Sequence, residues 1–263
     1  MNLACQENLL PGDDLLGKWQ IFSSIGYAGV ELRGAGDTAF RARLPALRTA
    51  RQAGVLMPTV CLISDHFIGD FDASRRRDAL ANMKTLLSAI AELGGYGAVT
   101  PASYGMHSNS LPPFKAPRSP ADDRAILLEG LGELAFHAKR EGVCVLLEPL
   151  NRYGDHMLNR LEQAVELCRV VGMQSLRIVG DFYHMNIEER DLAAAIRAAT
   201  GYLKHMHLAD SNRLPPGQGH IDFAPAFEAL RATGFDGYLA LECNVEGDPR
   251  SALAETAHFV QQQ

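Results

Sequence analysis

Eight short apolar runs recur along the chain, near Leu3 to Gln6, Gly29 to Leu32, Val55 to Ile63, Gly97 to Thr100, Val143 to Glu148, Leu176 to Asp181, Tyr202 to Leu208 and Tyr238 to Glu242. Each has the length and composition of a buried β-strand. Between them lie stretches with apolar residues at helical spacing, among them Asp13 to Ile25, Ala73 to Leu93, Ala121 to Arg140, Arg160 to Val171 and Phe223 to Thr233. Strands alternating with helices predict a parallel sheet with helices outside it. An open doubly wound sheet competes, but eight repeats with polar strand ends favour closure into a single (β/α)8 TIM barrel. No linker breaks the series, so residues 1–263 read as one domain, and the Pro-rich segment Leu111 to Pro120 reads as a long βα loop over the rim.

The last four runs, CVLLE, LRIVGD, YLKHMH and YLALE, end on Glu148, Asp181, His207 and Glu242. In a barrel of this type the carboxyl ends of the strands converge on one rim, so residues remote in sequence meet there. Three carboxylates and one imidazole predict a divalent cation site, Mn²⁺ first, with Mg²⁺, Co²⁺ or Zn²⁺ as alternatives. Side chains alternate along a strand, so Glu148 shares a face with Cys144 and Leu146, and Glu242 with Tyr238 and Ala240. Duller roles exist. A strand-end glutamate can simply border a loop, and Asp181 can cap a helix that begins just after it. His205 and His207 share a face as well; His207 is nearer the rim, and the deeper His205 reads as a hydrogen-bonded core group.

Composition narrows the function. The chain has 263 residues, the usual size of one barrel, a formal charge of −6 and 47% hydrophobic residues. No apolar stretch approaches the ~18 residues of a membrane span. An acidic balance argues against a nucleic-acid partner, and the cluster Arg75-Arg76-Arg77 reads as a solvated helix face. Five cysteines, Cys5, Cys61, Cys144, Cys168 and Cys243, show no C-x-x-C spacing and read as free thiols. With no secretory signal visible at the amino terminus, the cytoplasm is the expected location.

Beyond His207 runs HLADSNRLPPGQGHIDF. Its Pro and Gly residues are ordinary turn formers. Arg213, six residues past the proposed ligand, is placed to reach over the ion and hold a substrate oxygen with its forked donors. His220 and Asp222 read as loop-packing or capping groups, and Gly34-Ala35-Gly36 as a turn.

These features resemble the xylose-isomerase-like TIM-barrel superfamily. LEPLNRY at Leu147 to Tyr153, GDFYHMN at Gly180 to Asn186 and LECN at Leu241 to Asn244 are most similar to the D-tagatose and D-psicose 3-epimerase group. The resemblance implies that Glu148, Asp181, His207 and Glu242 bind one metal ion, that Glu148 and Glu242 also move protons, and that His184 and Arg213 touch the substrate. It implies a small sugar or keto-sugar substrate and an isomerase, most simply a ketose 3-epimerase working through an enediolate. One departure stands out. The 3-epimerases place an acidic residue straight after the aromatic of N-R-[YF], whereas Tyr153 is followed by Gly154 and then Asp155.

The chemistry suits such a site, because an ion that chelates a ketone oxygen and its neighbouring hydroxyl acidifies the proton between them. Two opposed carboxylates can then invert that carbon; delivery to the adjacent carbon gives aldose–ketose isomerisation instead. A dehydratase or lyase acting by β-elimination, or a non-catalytic sugar-binding barrel, stays open as an alternative. So does the oligomeric state, a homodimer or tetramer included.

Overall fold

The computed structural model describes residues 1–12 and 14–263; Asp13, the first residue of the expected first helix, lies outside them. Eight parallel strands close into a barrel in sequence order: β1 (Asn2–Gln6), β2 (Gly29–Gly34), β3 (Thr59–Leu62), β4 (Gly97–Pro101), β5 (Cys144–Glu148), β6 (Leu176–Asp181), β7 (Leu203–Leu208) and β8 (Tyr238–Leu241). β8 pairs with β1, Ala4 lying opposite Ala240, which closes the ring. The expected fold class holds. β3 is shorter than the run from Val55 because Pro58 has no N–H to give a ladder, and the paired strand starts one residue later.

The expected helices are α1 (Leu15–Ser24), α3 (Ala73–Glu92), α4 (Pro120–Glu141), α5 (Leu161–Val171) and α8 (Ala224–Ala232). To these the structure adds α2 (Thr38–Gln52), α6 (Phe182–Glu188), α7 (Leu192–Ala198) and α9 (Pro249–Gln262). Their ends are chemically marked. Asp37, Asp72, Ser119, Asp191 and Asp248 each accept a backbone N–H at a helix start, a type of contact that contributes about 1 kcal/mol. Gly142 and Gly172, both left-handed, end α4 and α5.

Two apolar cores result from the alternation of strand side chains. The large one fills the space between barrel and helices, with Phe22, Phe182, Phe223 and Phe227 among its fully buried members. The small one, Cys61, Val99, Leu146 and Val179 with Tyr96 and Cys144 packed against it, plugs the barrel axis. Leu146 is therefore inside, and Glu148 two residues on rises from the same face. The register of β6 on β7 shifts between Ile178 and Val179, which sets His205 opposite Val179 and His207 opposite Asp181. Both histidines are fully buried. Above the plug, polar ends of β5 to β8 face one another across the axis.

The long connection from β4 to α4 has no helix or strand at Leu111 to Ser119. Arg118 pins its far end, donating to the Gly69 and Asp70 carbonyls at 2.7 and 3.0 Å and to Asp123 at 2.5 Å. The Gly34-Ala35-Gly36 segment is a turn, with Gly36 left-handed at φ 74°. A Cβ on Gly36 would lie 2.2 Å from the Asn82 carbonyl oxygen of α3, whereas one on the left-handed Gly54 meets nothing within 4 Å. Gly36→Ala should therefore destabilise the protein by roughly 3 kcal/mol and Gly54→Ala by about 1 kcal/mol. Urea unfolding of the two variants measures this, and equal losses would contradict the close approach of the turn to α3.

Candidate metal centre and active site

Glu148, Asp181, His207 and Glu242 stand at the ends of β5 to β8 and offer ligand atoms that all lie within 4.8 Å of one another. The first three are buried and Glu242 is partly so. His207 is the hub. Its Nδ1 lies 2.7 Å from Glu148 Oε1 and 3.3 Å from Glu242 Oε2, and its Nε2 lies 3.0 Å from Glu31 Oε1.

Asp181 caps a helix with one oxygen and turns the other toward the site. Its Oδ1 accepts from the Tyr183 and His184 amides at 2.7 and 3.2 Å and so caps α6, while Oδ2 accepts from Arg213 at 2.8 Å. The guanidinium of Arg213 reaches on to Glu242 Oε2 at 2.6 Å and lies 4.7 Å over the Tyr183 ring. Arg213 is the only non-glycine residue among those described with a positive φ, 63°. Such a conformation survives where the surroundings impose it, and it concentrates at functional positions. Buried Asp210 supplies part of that constraint, accepting from the Ser211, Gly217 and Ile221 amides; the Arg213 carbonyl also accepts from Asn244 of the β8 loop at 2.7 Å.

His184 lies beside Asp181 on the first turn of α6. Its Nδ1 accepts from the Asn151 amide and side chain at 3.0 and 2.9 Å, so the proton rests on Nε2, 3.9 Å from Asp181 Oδ2. Burial holds its pKa below the usual histidine value. It is thus a neutral ring with a single N–H donor on the side of Asp181.

The electrostatics show a site short of positive charge. Burial pushes Glu148 up to about 7, helped by Glu242 and Asp181 and opposed by His207. Burial would raise Glu242 too, but His207 and Arg213 outweigh it and keep this carboxylate well below its usual range. His207 is pulled up by Glu148, Glu31 and Glu242 against the effect of burial. Three carboxylates of hard oxygen and one imidazole are the donor set of a divalent cation such as Mn²⁺ or Mg²⁺, and the added charge would relieve the crowding that raises Glu148. The residues present fit such an ion.

Several groups around the quartet had no counterpart in the sequence reading. Glu31 lies in the middle of β2, is fully buried, and binds both His205 and His207. Gln6 donates to Glu31 and Glu242, each at 3.0 Å. The signal for Glu31 was there, an acidic residue inside the apolar run GVEL, but it does not stand at the end of its run. Glu31, Cys61 and His207 form a second group of ligand-type atoms. Burial keeps the Cys61 thiol far above its usual pKa, and the Glu31 oxygens are already filled by donors, so this group lacks the free anionic donors an ion requires. His205 is the core histidine expected, taking the Tyr96 hydroxyl on Nδ1 at 2.7 Å. His220 contacts Ser211 at 2.9 Å, and Asp222 accepts from the Ala224 amide at 3.3 Å just ahead of α8, as loop groups do.

The chain belongs to the xylose isomerase-like TIM barrel family, whose model matches residues 19–263. Within that family it is 37% identical over 258 residues, 97% of both chains, to the 3-dehydro-D-guloside 4-epimerase of Escherichia coli strain K12. The crystal structure of the 3-keto-D-glucoside 4-epimerase of E. coli superposes with a TM-score of 0.94 at 36% identity, covering all of both chains. D-psicose 3-epimerase of Enterocloster bolteae is 39% identical, but over 120 residues, 46% of this chain and 40% of that one. Among the described residues no helix is long and apolar enough to cross a membrane.

The departure after Tyr153 has a structural consequence. At Gly154 a Cβ would come within 3.3 Å of the Tyr104 ring, so the ring lies over the position where the 3-epimerase pattern has an acidic side chain. Asp155, next in the chain, points away into the protein and accepts from Ser103 Oγ at 2.6 Å and the Met157 amide at 2.7 Å. Burial pushes its carboxyl up to about 6 from 3.8. The folded state therefore holds this proton more tightly than the unfolded chain. Its contribution is most favourable below pH ~4 and is lost as pH rises through about 6, a change of about 3 kcal/mol. Urea unfolding of the native protein and of Asp155→Asn across pH 4 to 7 should show this extra downward slope only in the native protein; parallel profiles would contradict it.

Proposed function

We propose that the protein is a divalent-metal-dependent sugar epimerase that inverts the carbinol carbon beside a ketone, and that its substrate is a 3-keto-hexoside inverted at C4. The observation that carries this reading is the convergence of Glu148, Asp181, His207 and Glu242 at one end of the barrel. Full-length similarity to the E. coli 4-epimerase favours a keto-glycoside, and Gly154, where the 3-epimerase pattern has an acidic residue, favours it further. A free ketose inverted at C3 is the second reading, supported by the partial similarity to D-psicose 3-epimerase. The two share one chemistry, since both invert the carbon next to the carbonyl.

Glu148, Asp181, His207 and Glu242 would hold the ion, which we take to be Mn²⁺. When bound it supplies Lewis-acid stabilisation of negative charge on the substrate oxygens. The protein's own part is proton handling and orientation. Glu242 sits beside the Arg213 guanidinium at 2.6 Å whereas Glu148 faces only His207 at 2.7 Å, and this difference in partners sets their basicities apart. Paired carboxylates driven apart in this way divide the work. In one direction Glu242 takes the proton from the carbon and Glu148 returns one to the opposite face; in the reverse direction the roles exchange. The N–H of His184 and the guanidinium of Arg213 would hold substrate oxygens and so fix which face meets which carboxylate.

Chelation of all divalent metal should abolish turnover, and Mn²⁺ or Co²⁺ should restore it. A methyl 3-keto-hexoside should exchange H4 with D₂O and yield the C4 epimer, followed by NMR, while D-fructose and D-psicose react at least tenfold more slowly, a difference of about 1.4 kcal/mol. Turnover in demonstrably metal-free protein contradicts the metal assignment, and faster reaction of the free ketoses reverses the order of the two substrates.

Glu148→Gln and Glu242→Gln keep a ligand oxygen but remove the base, so each should lower kcat at least 100-fold with a much smaller change in KM. Each variant should still exchange the proton of one epimer with D₂O, and the two should prefer opposite epimers. Native-like epimerisation by either variant with full metal content would move the proton transfer elsewhere.

A further inference from the structure

Glu31 is a fourth carboxylate inside the barrel, outside the quartet, and every one of its hydrogen-bond partners is a donor. Oε1 accepts from Gln6 Nε2 and His207 Nε2, both at 3.0 Å. Oε2 accepts from Thr59 Oγ1 at 2.7 Å and His205 Nε2 at 2.9 Å. Burying an ionised carboxylate is costly unless its lone pairs are used, and here four donors take them. The His205 and His207 rings stand nearly perpendicular, 85° apart with centroids at 5.2 Å, so their N–H groups converge on one carboxylate from two directions. His205 is held at its other end too, where Nδ1 accepts the Tyr96 hydroxyl.

His207 is the member of this set that also reaches the quartet. With Nε2 committed to Glu31, the ring has only Nδ1 left to face Glu148 and Glu242. We infer that Glu31 is a positioning residue for the metal centre: it holds the Nε2–H form and the ring orientation of His207, so that Nδ1 alone is offered to the cation. A carboxylate behind a ligating imidazole also strengthens it as a donor, and loss of such a partner typically weakens metal binding 10–100-fold. Gln6 ties the arrangement to the quartet by a second route, because the same side-chain nitrogen donates to Glu31 and Glu242. The inference rests on the ligand assignment proposed above.

The full-length chain, labelled with ¹⁵N-histidine and loaded with ¹¹³Cd²⁺, tests it directly by NMR. Scalar coupling of the metal to His207 Nδ1, with a proton on Nε2, is the expected result, and it needs no variant to fold. Coupling to Nε2 overturns the inference. Glu31→Gln, checked for folding by circular dichroism, should raise the Cd²⁺ dissociation constant about 10–100-fold. Asp155→Asn alters another fully buried carboxylate and should leave Cd²⁺ affinity unchanged. Unchanged affinity in folded Glu31→Gln, or an equal loss in Asp155→Asn, overturns the positioning role. Asp181→Asn separates the two levels: if it leaves Cd²⁺ affinity intact and His207 shows no coupling, the ligand assignment falls and this inference with it; if it weakens binding while Glu31→Gln does not, only the inference falls.

Discussion

Crowding of negative charge at one rim of the barrel is the constraint around which the site is organised. Glu148, Asp181 and Glu242 meet there with Glu31 just below, and the imidazole of His207 and the guanidinium of Arg213 are set among them. Carboxylates taken out of water need partners, and the partners dictate local structure. Arg213 bridges two of them from a left-handed turn that Asp210 and Asn244 hold in place. Asp181 spends one oxygen on the start of α6 and keeps the other for the site. Glu148, with the apolar plug beneath it and other carboxylates beside it, is the group left with the least compensation, and it is the one whose proton is held most readily.

This tension is the source of function in our reading. A divalent cation supplies the missing charge, and the unequal environments of Glu148 and Glu242 give one site an acid and a base. The barrel contributes rigidity: side chains on the ends of four adjacent paired strands have little freedom to drift, and the plug of Cys61, Val99, Leu146 and Val179 fixes the height from which they project.

Much of this was legible in the sequence, for physical reasons. Strands with buried faces read as apolar runs, and the residue that breaks such a run on a strand's inner face is the residue that emerges into the mouth. That rule picks out Glu148, Asp181, His207 and Glu242 without coordinates. It fails for Glu31, which sits within its strand and whose partners Gln6, Thr59 and His205 come from three other strands; only closure of the barrel brings them together. It also leaves β3 too long, because an apolar run does not reveal that Pro58 cannot join the ladder. Arg213 was visible from its distance along the chain to His207, but its contact with two carboxylates depends on a turn that its own side chain does not specify. Asp155 looked like a displaced version of the acidic residue in the 3-epimerase pattern, yet one step along the chain turned it into the protein, where it binds Ser103 and the loop backbone.

The most direct measurement is diffraction from crystals soaked in Mn²⁺, with data collected at the manganese absorption edge. The site described here predicts a single anomalous peak within coordination distance of Glu148, Asp181, His207 and Glu242, with the Arg213 guanidinium moved off at least one of the two carboxylates it now bridges. A peak elsewhere, or no peak while Arg213 still joins Asp181 to Glu242, would contradict it.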